Sequence, residues 1–181
     1  MTLSVSPSAL RFSYHRILLR HLHDADLDDM VAIFSNPNVS RWMGDGKALN
    51  RSQCQHWIEK SQHNYHHYGY GAFAVIETNS GNMIGCGGLV HPGGQEACEI
   101  IYALKEAVWG QGFGHDMVAG ILKLGIEKCH INRIIATVDP DNFVSIRLLE
   151  TNGMRYVETQ PDEDGMPTAI YHIDVNATAS S

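Results

Sequence analysis

The 181-residue chain predicts an α/β fold, a mixed and mainly antiparallel central sheet flanked by helices. Three observations carry that expectation. Apolar runs of strand and helix period follow one another in the order β-α-α-β-β-β-α-β-α-β-β, with no internal repeat and no linker. Two of the strand runs, Ala72 to Ile76 and Met83 to Val90, are joined by Asn79-Ser80-Gly81-Asn82, which is a hairpin by spacing and turn chemistry. A third run, Cys98 to Leu104, leads through a glycine-rich loop into a long amphipathic segment.

Element by element, Ile17-Leu18-Leu19 opens the first strand, and residues 1–14 before it read as a flexible N-terminus. Asp24 is placed to cap a helix whose Leu27, Met30, Val31 and Phe34 share one face. Asn36-Pro37-Asn38 ends that helix, because proline keeps its predecessor out of the helical region. After the loop from Ser40 to Gly46, Asn50 with Gln53 forms a capping box for a second helix reaching about Tyr68, where Gly69 to Gly71 break the pattern. The hairpin follows, then the turn His91-Pro92-Gly93-Gly94 and the strand Cys98 to Leu104. Beyond the loop, Met117, Val118, Ile121, Leu122, Gly125 and Cys129 keep helical register. Arg133 to Val138 reads as a strand, Val144 to Asn152 as a short helix, and Met154 to Glu158 as a strand. Gly165-Met166-Pro167 turns into a last strand, Ala169 to Val175. One domain over 15–175 and an Ala/Thr/Ser tail over 176–181 complete the division.

Composition removes several function classes. Thirteen basic against 20 acidic residues give a formal charge of −7, opposite to the basic face of a nucleic-acid reader. No apolar stretch reaches membrane-spanning length, and 44% hydrophobic residues suffice for a core. Cys54, Cys86, Cys98 and Cys129 form no C-x-x-C pair, so reduced, mostly buried thiols in a cytoplasmic protein are expected. His63, His66 and His67 fall at helical spacing without a fixed second shell, so a solvated helix face is expected there and no metal site. Packing roles are expected for Trp42, Tyr65 and Tyr68, with the lining of an acceptor site as the alternative.

The loop Trp109-Gly110-Gln111-Gly112-Phe113-Gly114-His115 carries the chemistry. Its glycines let backbone amides approach a ligand, and the helix N-terminus after them offers unpaired N–H groups and a positive dipole end. Together these suit a pyrophosphate, and His115 lies where it can adjoin the phosphates. A P-loop would need Lys-Ser or Lys-Thr, and a dinucleotide fingerprint would need glycine where His115 or Met117 stands. A nucleotide-binding domain is therefore the weakest of the candidate functions.

Residues Glu99 to Leu104 and Val108 to Gly114 resemble the acyl-CoA-binding core of the GNAT superfamily of N-acetyltransferases. Asn142 to Met154 is similar to that family's second conserved stretch, with Asn142, Ser145 and Gly153 in the family's spacing. The segment Ile17 to Arg20, with Asp24 and Phe34 to Val39, resembles the branch that acetylates ribosomal-protein N-terminal alanine. The likeness covers about residues 15 to 175. Three departures stand out: Trp109 replaces the usual Gln or Arg, Leu149 occupies the place of a tyrosine general acid, and Ala103 replaces a bulky aromatic.

The resemblance implies a GNAT-like acyl-CoA-binding fold with acetyl-CoA as co-substrate and no metal. Amides of Gly110, Gln111, Gly112, Phe113, Gly114 and His115 would hold the pyrophosphate, and the backbone of Tyr102, Ala103 and Leu104 the pantetheine. The N–H near Leu104 would stabilise charge on the acyl oxygen, and Asn142 would hold the cofactor backbone or cap its helix. The acceptor is a primary amine, either a protein N-terminal α-amine or a small-molecule amine, attacking directly in a ternary complex. Deprotonating a lysine-like amine at about pH 7.4 costs about 4 kcal/mol, and an α-amine of pKa near 8 under about 1. Glu99 is the candidate base, with Glu96 as substitute; the other reading of Glu99 is a solvated strand-end carboxylate. Ser145 is the candidate hydrogen-bond donor to the leaving thiolate, its other reading being a groove or capping hydroxyl. A non-catalytic acyl-CoA sensor is the alternative function, and a homodimer is left open.

Overall fold

In the computed structural model, which describes residues 10–92 and 97–175, the chain opens on a hairpin. Strands β1 (Arg11–Tyr14) and β2 (Ile17–His21) pair antiparallel across the two-residue turn His15-Arg16, with Phe12 opposite Leu19. This corrects the expectation of a flexible segment through residue 14. Arg-Phe-Ser-Tyr already has the two-residue alternation of a strand, and Phe12 and Tyr14 pack against the core. Residues 1–9 and 176–181, with Gly93, Gly94 and Glu96, lie outside the described residues.

A 3-10 turn, Asp24–Asp26, leads into α1 (Leu27–Phe34), so Asp24 sits inside the turn and does not cap the helix. Asp26 stands at the N-terminal boundary of α1 without a side-chain bond to the helix; its carboxylate instead accepts the His23 N–H at 2.8 Å and takes both Arg20 Nη atoms at 2.7 Å. Pro37 does more than stop α1. Asn36 accepts the Asn38 N–H, and Pro37 becomes the first residue of the one-turn helix α2 (Pro37–Ser40). In α3 (Arg51–Tyr68) the Asn50/Gln53 capping box is present, and Cys54, Ile58, Ser61 and Tyr65 fall on its buried face. His63, His66 and His67 lie on the exposed face.

The remaining elements are β3 (Ala72–Glu77), β4 (Met83–Val90), β5 (Cys98–Leu104), α4 (Phe113–Glu127), β6 (Arg133–Val138), α5 (Phe143–Thr151), β7 (Arg155–Pro161) and β8 (Pro167–Asp174). The last helix and the last two strands begin or end one to three residues away from the expected limits, as element ends commonly do. All eight strands form one sheet in the order β1-β2-β3-β4-β5-β6-β8-β7, antiparallel except where β5 meets β6.

The alternation of strand side chains divides the core between the two faces of this sheet. Leu19, Phe73, Val75, Leu89, Ile100 and Leu104 pack toward α4 with Phe113, Met117 and Ile121. Ala72, Ala74, Cys86 and Ala103 pack on the other face with Met30, Ile33, Phe34 and Ile58 of α1 and α3. Strands buried on both faces read as continuous apolar runs, which is why β3 and β4 are so evident in the sequence. Burial of a large apolar side chain contributes about 2 kcal/mol, so each face is a substantial core. Tyr65 is a packing residue: its hydroxyl accepts the Leu22 N–H and donates to the Ala72 carbonyl, and its ring stacks on His21 at 3.7 Å. No helix among the described residues is long and apolar enough to cross a membrane.

Candidate active site

Strands β5 and β6 pair over two positions only, Cys98 with Ile134 and Glu99 with Ile135. Beyond them β5 stays on β4 as far as Leu104, and β6 stays on β8 as far as Val138. The two strands therefore part, leaving a wedge open through the sheet with its apex at Glu99.

The β4–β5 ladder decides which backbone groups line the wedge. Lys105 N–H donates to the Ile84 carbonyl on β4. In an antiparallel ladder such bonds recur at every second residue, so Ala103, Ile101 and Glu99 turn their N–H and C=O groups toward β4. Tyr102 and Leu104 turn theirs the opposite way, into the wedge. Trp109 Nε1–H donates to the Leu104 carbonyl at 3.0 Å, which ties the following loop back to the strand end.

Side chains of β5 split by face. Tyr102 points to the α4–α5 face, where its hydroxyl oxygen lies 2.6 Å from Ser145 Oγ on α5. Burial pushes the Tyr102 hydroxyl up to about 12, so it remains protonated near neutrality. Asn142 caps α5 by accepting the Ser145 N–H at 3.2 Å, the capping role expected for it, and Leu149 is fully buried below. Glu99 shares the opposite face with Ile101 and Ala103 and accepts a hydrogen bond from the Thr137 hydroxyl of β6. Only 9% exposed, Glu99 is not the solvated strand-end carboxylate of the alternative reading. Burial raises its pKa, against the two opposing hydrogen bonds from Thr137. Ala103 is buried beside Cys86 of β4.

On the same face as Glu99, at the far end of β5, a cavity of about 470 Å³ is lined by Ala32, Ile33, Asn36 and Val39 with Lys105, Glu106 and Ala107. Its rim is built from polar pairs. Asn36 and Asn38 each donate an amide to one oxygen of Glu106 at 2.8 Å, and Lys105 meets Asp29 at 2.6 Å. None of these pairs was legible in the sequence, because the partners are 68 to 76 residues apart.

The glycine loop ends where α4 begins. Gly112 takes φ +85° as the residue before the helix, and a Cβ there would meet Arg16 Nη2 at 2.9 Å. The positive φ makes glycine the residue for this position, and any side chain there would also have to displace the end of Arg16. Phe113 is buried, Gln111 donates its side-chain amide to the Ala107 carbonyl, and His115 Nδ1 lies 3.3 Å from Asn152 Nδ2. A left-handed glycine ahead of free helical N–H groups is a cradle that a side chain would fill, and it fits an acyl-CoA pyrophosphate. Among the described residues no group of three or more His, Cys, Asp or Glu could hold a metal ion.

Residues 16–155 match the family model described as an acetyltransferase (GNAT) domain. Among curated relatives, an uncharacterized protein, YkkB, of Bacillus subtilis (strain 168) is 28% identical over 147 residues, 80% of this chain and 84% of that one. An uncharacterized N-acetyltransferase, p20, of Bacillus licheniformis is 28% identical over 137 residues, 75% of this chain and 77% of its own. Of solved structures, a GNAT-family acetyltransferase from Bacillus anthracis superposes with a TM-score of 0.78 at 21% identity, covering 91% of this chain and 98% of the other. Spermidine N-acetyltransferase from Vibrio cholerae, in complex with CoA and spermine, gives 0.74 at 17% identity over 88% and 96%. The ribosomal L7/L12 α-N-protein acetyltransferase RimL, in complex with CoA, gives 0.76 at 15% identity over 93% and 99%.

Proposed function

The chain belongs to the GNAT acetyltransferase family and is an acetyl-CoA-dependent N-acetyltransferase; we propose that a primary amine attacks directly in a ternary complex, amine and cofactor reaching the wedge from opposite faces of the sheet. When bound, acetyl-CoA supplies an activated acetyl thioester. The observation that carries this reading is the division of groups across the wedge. The buried carboxylate of Glu99 stands on one face, the Tyr102–Ser145 hydroxyl pair on the other, and the backbone of Tyr102 and Leu104 between them.

In this reading amides of Gly110 to His115 bind the pyrophosphate, and the outward backbone groups of Tyr102 and Leu104, with Ala103 between them, receive the pantetheine. The Leu104 N–H faces the negative charge that develops on the acyl oxygen, a preorganised donor that needs no catalytic triad. Glu99 takes a proton from the amine. Five steps of about 3.3 Å along the strand separate it from Leu104, so the transfer runs through water along the wedge. Its raised pKa makes it a better base than a solvated carboxylate. Ser145 donates to the departing thiolate, which with a pKa near 8.5 requires little more, and Asn142 keeps that serine at the first turn of α5.

The acceptor we assign is a protein N-terminal α-amine or a small-molecule amine. Relatives in fold named for a ribosomal-protein N-terminus and for spermidine support both, and a single modest base favours the amine of lower pKa. Four free cysteines, three of them buried, suit a reducing cytoplasm. The test is thiol release from acetyl-CoA across a panel of N-terminal peptides, polyamines and aminoglycosides. Release with at least one class, lost in Glu99→Gln, supports the reading. Tight acetyl-CoA binding without release on any amine would identify a sensor instead.

A further inference from the structure

The β1–β2 turn reaches the glycine loop from the other end of the chain. His15 holds φ +48°, a left-handed conformation uncommon for a non-glycine residue. The turn is pinned from below, because Thr78 donates both its N–H and its hydroxyl to the Arg16 carbonyl at 2.9 and 3.0 Å. It is pinned from above, because Gly120 of α4 lacks the Cβ that would crowd Tyr14 and Ile17 at 3.3 and 3.4 Å. The outcome is one placed side chain. Arg16 Nε donates to Asp116 of α4 at 2.8 Å, Nη1 donates to the Gln111 carbonyl at 2.9 Å, and the guanidinium lies 4.4 Å over the Phe113 ring. Gln111, Phe113 and Asp116 bracket Gly112, and Nη2 stands beside Gly112 with no hydrogen-bond partner among the described residues.

We propose that Arg16 is a charged member of the acyl-CoA phosphate site, holding the glycine loop in its binding form and presenting Nη2 to a phosphate oxygen. This rests on the reading that the loop cradles the pyrophosphate. Asp116 is 11% exposed in its side chain against 46% for Arg16, so the carboxylate is turned inward and the cation toward solvent at the loop. The buried partner orients the guanidinium, and the remaining N–H bonds of its fork are free for an anion. A chain with net charge −7 thereby brings one cation to a polyanion at the point of need.

Two probes separate a phosphate contact from general support of the fold: CoA, and S-acetylpantetheine, which has the thioester arm but no phosphate. Titrations of the full chain are expected to give Arg16→Ala a CoA dissociation constant roughly 10- to 100-fold higher, the range of a charge-assisted hydrogen bond. S-acetylpantetheine affinity is expected to stay within about twofold. Arg16→Lys, which keeps the charge but not the fork, is expected to lose CoA affinity to an intermediate degree, and it carries the test if the alanine variant does not fold. Unchanged CoA affinity in Arg16→Ala, or parallel weakening of both probes in either variant, would overturn the proposal. If the wild-type chain itself bound CoA no more tightly than S-acetylpantetheine, the phosphate-cradle reading would fall instead.

Discussion

On the α4 side of the wedge the groups we assign to the cofactor are mostly main-chain ones, the loop amides and the outward groups of Tyr102 and Leu104, joined by the side chains of Ser145 and Arg16. On the α1–α3 side they are side chains: Glu99 on Thr137, and Glu106 between Asn36 and Asn38. The two sides answer different needs. A cofactor common to many acceptors can be held largely by groups that every residue carries, and the glycine pattern marks that part of its site. An acceptor is distinguished by charge and shape, which only side chains supply, and those come together from distant parts of the chain.

The sharpest way to break this contrast is Gly112→Val. A β-branched residue at φ +85° that also meets Arg16 is expected to weaken CoA binding by about 100-fold or more, with the melting temperature changed far less. Normal CoA affinity in that variant would show that the cradle is not main-chain work at all.

Glu99→Gln comes next and acts on the other side. It should lower kcat by about 100-fold and leave CoA affinity as it was. It should also raise stability near neutral pH. The folded pKa of Glu99 lies above its unfolded value, so the folded state binds the proton more tightly. Stability is therefore lost as pH rises through the folded pKa, and the amide removes that loss while still accepting from Thr137. The measurement is melting temperature against pH, with the wild type falling more steeply above the ordinary carboxylate range. The acid limb of the wild-type kcat profile should lie above that range too, and should vanish in the variant.

Smaller effects are expected from the hydroxyl pair. Ser145→Ala should reduce kcat about tenfold, and Tyr102→Phe about threefold, the worth of one neutral hydrogen bond or a part of it. An effect of Tyr102→Phe as large as that of Glu99→Gln would shift the chemistry from the carboxylate face to the hydroxyl face.

How much of this was legible follows the same division. The strands β3 to β6, the α3 capping box and the loop before α4 are local signals, and each lies where its residues predict. The family resemblance points to Glu99, Ser145 and Asn142, and the fold brings the first to the wedge apex and the other two to its α5 wall. What escaped was long-range. Arg16 carries no local signal, since its partners are 95 and 100 residues away. The resemblance points to the Tyr102 backbone, whereas its hydroxyl meets Ser145 of α5, 43 residues further along the chain. β1 had a clear period-two pattern and was passed over for its position near the terminus. Asp24 and Asp26 are two residues apart and nothing local distinguishes them; the pairing of Asp26 with Arg20 does.

Arg16's reach has a consequence for how the chain matures. A contact that spans nearly 100 residues carries a loop-closure entropy that local contacts do not. The phosphate loop is thus completed only when the N-terminal hairpin docks on α4, and a ligand that selects the docked form adds its binding free energy to folding. With CoA at about 100 times its dissociation constant that linkage is worth about 2.7 kcal/mol, a sizeable part of the stability of an ordinary domain. The cellular CoA pool would then act on this enzyme twice, as a source of substrate and as a guard on its lifetime.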